Sequence, residues 1–254
     1  MTSVVGYPTP GKNKALVILD AFCAGAKGRV SSDVSRLLPG GAAFYGVVPE
    51  TKSLYRQAKA EQRDVYYLDN AYFDPTREVY FRATKGALQA TGREGSDCKR
   101  FDRLGIPIAP WREGGEHILV CPQSDQFMRD VARYEGNWLA DTLQALRALT
   151  LRPVRVRPWT GNKKAWYSSL PEDLHDCWAL VTYSSASAIT AILSGVPAVC
   201  TATDCISLSQ CGKLEDIETP YRSDNRREWA GAVADSQWTL DEMRRGVAWR
   251  MLTE

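Results

Sequence analysis

The chain has little of several things that would narrow its chemistry. Only two histidines, His117 and His175, occur in 254 residues. A His-rich metal centre or a Ser–His–Asp hydrolase is therefore poorly supplied. Seven cysteines stand at positions 23, 98, 121, 177, 200, 205 and 211, with no Cys-x-x-Cys pair among them. The odd count and loose spacing argue against a disulfide framework or a zinc site, and for reduced thiols in a cytoplasm. A formal net charge of only +2 excludes a strongly basic nucleic-acid glove and leaves room for a local basic patch. No apolar run nears the roughly 18 residues of a membrane span. The N-terminal stretch lacks the charged start and long apolar core of a secretory leader, and it reads as a short flexible lead-in. No Asp-x-Asp pair, internal repeat or low-complexity tract is present, so no metal is expected.

What remains is enough apolar sequence, 44% of residues, to build one large domain or two small ones. The pattern predicts strands alternating with helices. Strands are expected at Ala15 to Asp20, Ala42 to Val48, Val65 to Asp69 and Val79 to Thr84. Helices are expected from Ser31 or Ser32 and over Glu50 to Gln62. Residues 85–116 are rich in glycine and charge and read as an irregular link. A second series follows, with strands at His117 to Cys121, Val154 to Arg157 and Ala179 to Thr182. A helix over Trp138 to Leu149 carries Leu139, Leu143, Leu146 and Leu149 at helical spacing. Two C-terminal helices are expected, Arg226 to Ala234 and Thr239 to Leu252, the latter opened by a Thr239/Glu242 capping box.

This alternation implies an α/β fold of two Rossmann-like lobes facing a cleft, with C-terminal helices packing back across them. The expected limits are an acceptor lobe over 14–112, a nucleotide-binding lobe over 115–236 and a C-terminal helix over 237–254. Ligands of such sheets sit beyond the carboxyl ends of the strands, which directs attention to Asp20, Asp69, Cys121-Pro-Gln123, Arg157 and Tyr183 to Ser185.

The most pointed stretch runs from Ala179 to Val199: a buried strand, a turn with Ser184, Ser185 and Ser187, a helix, Gly195 and another strand. Hydroxyls and free N–H groups at a helix entrance suit a phosphate, and each serine equally suits simple capping. Gln123 and Ser124 follow the first strand of this half, as ligand contacts or as a capped turn. Arg157 ends a strand and offers a planar fork for phosphate, or for a surface ion pair. Lys163 lies in the polar loop that follows. In the first half, Asp69 lies in Tyr66-Tyr-Leu-Asp-Asn-Ala-Tyr-Phe73 and Asp20 precedes the loop with Gly25 and Gly28. Either carboxylate suits a general base, or a turn or helix cap.

The run Val156-Arg157-Pro158, followed by Val181 to Ala191 and Gly195-Val-Pro197, resembles the nucleotide-binding half of GT-B glycosyltransferases, including those that build capsular polysaccharide. The resemblance covers residues 117–200 and departs at Trp159, where many relatives carry a basic residue. It implies a nucleotide-sugar donor held by Gln123, Ser124, Arg157, Lys163, Ser184, Ser185 and Ser187, with no metal. Asp69, then Asp20, would be the base, and Tyr67, Asn70, Tyr72, Phe73 and Arg82 would meet the acceptor. A narrower resemblance joins Ala43 to Val47, Val65 to Phe73, Tyr80 to Thr84 and Gln237 to Trp249 with small phage-encoded GT-B-like proteins. It implies a 5-hydroxymethyl pyrimidine of DNA as acceptor and the host cytoplasm as location. A polysaccharide or small-sugar acceptor, a sugar-nucleotide epimerase and a nucleotide-binding protein without turnover are the other readings.

Overall fold

The computed structural model describes residues 3–74, 76–89, 95–159 and 168–254. The chain forms two compact units, Met1–Glu94 with Ala232–Glu254, and Gly95–Gly231.

The first unit opens with strand β1 (Val4–Tyr7), helix α1 (Asn13–Gly25) and the short β2 (Arg29–Val30). Then come β3 (Gly41–Tyr45), α2 (Lys52–Ala60), β4 (Val65–Asn70) and β5 (Tyr80–Lys85). The sheet runs β10-β5-β4-β3-β1-β2, where β10 (Gln237–Thr239) returns from the C-terminus. The strands β2, β1, β3 and β4 are parallel, while β5 and β10 are antiparallel to their neighbours. Alternation along the strands serves two faces. Val5, Tyr7, Ala42, Phe44 and Val65 meet α2 on one side, while Val4, Ala43, Tyr66 and Leu68 meet α1 and the C-terminal helices on the other.

Three expectations are corrected here. The run Ala15 to Asp20 is helix, not strand: Ala15, Ile18, Leu19 and Phe22 are buried at spacings of three and four, while Leu16 and Val17 face outward. The first strand is instead Val4–Tyr7, inside the stretch read as a flexible lead-in. No helix starts at Ser31 or Ser32. Asp33 accepts from the Ser35 N–H and hydroxyl, a local bond that competes with helix. The loop after Gly25 closes α1, with Gly28 N–H donating to Cys23 O at 2.8 Å.

The C-terminal helix is also broken. After β10 come α9 (Leu240–Arg244) and α10 (Val247–Thr253), separated by Gly246 at φ +74°. The predicted capping box is present, Glu242 N–H donating to Thr239 Oγ1 and Thr239 N–H to Glu242 Oε2. These helices pack on α1 so closely that a Cβ on Gly25 would lie 2.0 Å from Met243 O, so only glycine fits. Phe22, Tyr66 and Trp249 form an aromatic cluster with centroids 5.1–6.1 Å apart. Truncating a buried ring such as Phe22 to alanine costs about 3–5 kcal/mol.

In the second unit, α3 (Lys99–Leu104) interrupts the expected irregular link. It leads to β6 (His117–Cys121), α4 (Asp125–Phe127) with a π-turn over Met128–Ala132, and α5 (Trp138–Leu149). Then follow β7 (Val154–Val156), α6 (Leu170–Asp173), β8 (Cys177–Thr182), α7 (Ser187–Leu193) and β9 (Ala198–Cys200). The helix α8 (Arg226–Asp235) runs through the boundary between units. The sheet order β7-β6-β8-β9 is parallel throughout. Its two inner strands are almost wholly buried, as parallel strands covered on both faces should be. The expected α/β class holds for both units.

Candidate functional site

The carboxyl edge of the second sheet brings Gln123, Ser124, Arg157, Ser184, Ser185 and Ser187 to the ends of β6, β7 and β8. Thr182 links two of these ends, its hydroxyl donating to Cys121 O at 2.6 Å and accepting from Ser185 N–H at 3.3 Å. Turned so that its amide oxygen faces the donors, Gln123 accepts from Ser184 Oγ at 2.8 Å. It also accepts from the N–H groups of Ser184 and Ser185 at 3.0 Å each. One side-chain oxygen thus occupies the place where three donors converge, the arrangement an anionic oxygen would use.

The other serines divide between capping and packing. Ser185 Oγ accepts from Ser187 N–H at 3.2 Å at the entrance to α7, where Ala186 has no polar side chain to offer. The Ser187 hydroxyl is buried beside the Cys121 thiol, which burial pushes up to about 12 against the pull of that hydroxyl. A thiol so shifted is no nucleophile at neutral pH. Ser124 caps α4, accepting from Phe127 N–H at 3.1 Å. Arg157 takes the ion-pair alternative: its side chain is 9% exposed, its guanidinium meets the Asp173 carboxylate, and it donates to Ser168 O at 3.0 Å. The Lys163 expectation falls outside the described residues.

Sequence reading missed an aromatic cluster at this edge. The Tyr183 ring receives Phe127, Tyr134 and Trp138 edge-on, at centroid distances of 6.5, 6.1 and 6.3 Å. Trp138 also donates to Thr201 Oγ1 at 2.8 Å, which ties α5 to the end of β9. The signal was the aromatic content of residues 127–138, which serves no periodic face and gathers only once Tyr183 is placed.

In the first unit the carboxyl edge carries Asp69, opposite Arg82 in the β4–β5 register. Asp69 Oδ2 accepts from Arg82 Nη2 at 3.0 Å and Tyr67 OH at 2.9 Å. Its Oδ1 accepts from Asn70 N–H at 2.7 Å and Asn70 Nδ2 at 3.4 Å. Four donors fill the lone-pair sites of a carboxylate. Burial, then Asp69, raises the Tyr67 hydroxyl well above its ordinary value, so it stays a neutral donor. Arg82 lies over the Tyr72 ring at 4.8 Å and the Tyr67 ring at 5.8 Å. Asn70 Oδ1 in turn accepts from Lys14 Nζ at 2.9 Å and Tyr45 OH at 3.0 Å. Lys14 and Tyr45 were not anticipated. Lys14 depends on α1 being a helix whose first turn lies at this edge, while Tyr45 ends β3 beside β4.

The structure thus gathers Asp69, Tyr67, Asn70, Tyr72 and Arg82, while Asp20 lies apart. Asp20 is exposed on α1 rather than at a strand end, because the segment that carries it is helical. Phe73 is buried, and its N–H, with that of Tyr72, donates to Gln237 Oε1 at 3.0 and 3.1 Å. Asp74 accepts from five backbone N–H groups, those of Thr76, Arg77, Glu78, Val79 and Tyr80. Burial raises its carboxyl, but the Thr76 hydroxyl and these amides outweigh burial and lower it to about 2. Among the described residues, no His, Cys, Asp and Glu side chains gather in threes to hold a metal, and no helix is long and apolar enough to cross a membrane.

Neither a family model nor a curated protein sequence matches the chain. Solved structures do. The chain is similar over 98% of its length to 99% of the β-Kdo 2,7 transferase of KpsC from Thermosulfurimonas dismutans, with TM-score 0.55 and 12% identity. It is similar over 91% of its length to 90% of the β-Kdo 2,4 transferase of KpsC from the same organism, with TM-score 0.52 and 12% identity. At that identity the likeness shows the fold, and the fold is GT-B-like.

Proposed function

We propose that the protein is a glycosyltransferase that moves a sugar from a nucleotide-sugar donor to a hydroxyl acceptor. The observation that carries this reading is the end-to-end likeness of its fold to two β-Kdo transferases. The strand-end turn of the second unit supports it. A donor phosphate oxygen would replace the Gln123 amide oxygen on the Ser184 and Ser185 N–H groups. Arg157, at the end of the neighbouring strand, would exchange part of its pairing with Asp173 for the leaving phosphate.

In the transfer the acceptor O–H gives its proton to a base while its oxygen bonds the anomeric carbon. The bond from that carbon to the donor phosphate breaks, and the nucleotide leaves with the electron pair. Asp69 is the proposed base. It has to release one of its four donors to take the proton. The proposed donor sugar is Kdo, because both similar structures carry it in their names. The proposed acceptor is a glycan hydroxyl. A 5-hydroxymethyl pyrimidine in DNA has less support, because three of the four aromatics that suggested base stacking, Tyr66, Tyr67 and Phe73, are buried, and the fourth, the half-buried Tyr72, has Arg82 over its ring.

The test is a thermal-shift screen with UDP, GDP, CMP, ADP and their sugars, with and without DNA containing 5-hydroxymethylcytosine or 5-hydroxymethyluracil. A shift specific to one nucleotide is the expected result. A further shift with only the modified DNA would move the acceptor to DNA, and no nucleotide shift would overturn the transferase reading. Arg157→Ala is expected to weaken nucleotide binding by about 1.5–3 kcal/mol, as for a lost charged hydrogen bond. Unchanged affinity in a titration would remove Arg157 from the donor site.

A further inference from the structure

Three cysteines that seemed unrelated by spacing meet beside the carboxyl edge of the second sheet. Cys200 ends β9, and its thiol shares a hydrogen bond with that of Cys205, Sγ to Sγ 3.1 Å. Cys211 is brought back alongside by the Val199–Gly212 bridge and by Gly212 N–H donating to Ala198 O at 3.0 Å. Its thiol also reaches Cys200. Cys200 and Cys205 are 6% and 3% exposed, whereas Cys211 is partly open to solvent. Sulfurs at 3.1 Å are closer than the roughly 3.8 Å that tetrahedral zinc with bonds of about 2.3 Å requires. They need to approach by only about 1 Å to reach a disulfide length.

We propose that Cys200, Cys205 and Cys211 form a thiol–disulfide relay, a redox modification site that takes a low-molecular-weight disulfide and ends as a Cys200–Cys205 disulfide. Cys211, the accessible thiol, attacks one sulfur of the oxidant RSSR, whose S–S bond breaks to release RS⁻. The contacts with Cys205 and Cys211, then burial, raise the Cys200 thiol, so Cys200 passes its proton to the Cys205 thiolate across their 3.1 Å contact as it attacks the Cys211 sulfur and expels the second RS⁻. Cys205 then attacks Cys200, returning Cys211 as a thiol. The balance is RSSR plus two cysteine thiols giving one protein disulfide and two RSH, with two electrons and two protons passing to the oxidant. Cys205 suits the last attack: the hydrogen bond with Cys200, then the Ser207 N–H and hydroxyl, lower its thiol against the effect of burial.

The bridge would close the four residues 201–204. That segment already fastens to the strand-end turn, with Thr201 N–H on Thr182 O at 3.1 Å and Ala202 N–H on Tyr183 O at 2.9 Å. Oxidation would stiffen one wall of the Tyr183 aromatic cluster. The sulfur chemistry is independent of the proposed sugar transfer, since every readout below is of thiols.

The experiment incubates the intact, pre-reduced protein with glutathione disulfide, then counts thiols after denaturation and maps disulfides by peptide mass. Titratable thiols should fall from the seven of the sequence by two, with Cys200 joined to Cys205. Cys211→Ser should slow this by about tenfold or more, because the remaining thiols of the cluster are buried. It should still end at the same disulfide. Cys205→Ser should stop at a Cys200–Cys211 disulfide. Early quenching of the unsubstituted protein should find glutathione on Cys211, a test that needs no variant to fold. Seven thiols persisting, a disulfide elsewhere, or Cys211→Ser oxidising at the unsubstituted rate would overturn the relay.

Discussion

The two units present polar groups at the carboxyl edges of their sheets in opposite ways. In the first, Asp69 and Arg82 face each other across paired strands, and Tyr67 and Asn70 fill the remaining carboxylate sites. Every partner there is fixed by β4 or β5. In the second, the N–H groups of Ser184 and Ser185 are met by one amide at the end of a rotatable side chain, Gln123. A neutral amide oxygen is a weaker acceptor than a phosphate oxygen. The first arrangement holds a geometry and resists exchange, and the second invites it. An edge rich in charge is thus not by itself the edge most ready for an anion. What counts is how easily its present partners leave.

The largest expected effect falls on the first unit. Asp69→Asn should lower transfer by about 10²–10⁴-fold, the range for loss of a general base, while leaving nucleotide affinity unchanged. Turnover and titration measured side by side check this, and full activity would remove Asp69 as the base. Arg82→Leu should destabilise the protein by about 3 kcal/mol in a urea melt, because it leaves the Asp69 charge largely buried without its partner. A loss under about 1 kcal/mol would mean the network is as exchangeable as the Gln123 contact.

Asp74→Asn should cost about 2 kcal/mol, since its carboxylate holds five amides and sits at about 2, well below its unfolded value. The sign follows from that depression. The stabilisation is complete above about pH 4 and is lost as pH falls through about 2. The variant should lack this acid slope, which stability measured from pH 5 to pH 2 would reveal. Smallest is Gln123→Ala, which should change stability by less than about 1 kcal/mol, because water can replace an amide on those N–H groups. A larger loss would show that Gln123 is a structural clamp rather than a placeholder.

The second unit was the more legible in sequence. Its inner strands β6 and β8 are near-continuous apolar runs, and α5 carries its leucines at a spacing that excludes strand, with Asn137 capping the start. The turn at Ser184 followed from strand and helix signals only a few residues apart. The first unit was harder. Ala15 to Asp20 is apolar enough for a buried strand, and its helical period shows only when the run is extended to Phe22 and Ala26. Strand β1 is four residues long, and β10 exists by pairing with β5 more than 150 positions earlier, which no local pattern encodes. Of the site, Asp69 with Tyr67, Asn70, Tyr72 and Arg82 was legible because one hairpin carries it. The Arg157–Asp173 pair and the gathering at Tyr183 were not, because their partners come from separate elements.

The most direct test of the account is a calorimetric titration of the intact protein with UDP, GDP, CMP, ADP and their sugars, repeated with Arg157→Ala. The account predicts that one nucleotide binds and that the substitution weakens it by about 10- to 150-fold. Absence of binding by every nucleotide would contradict it.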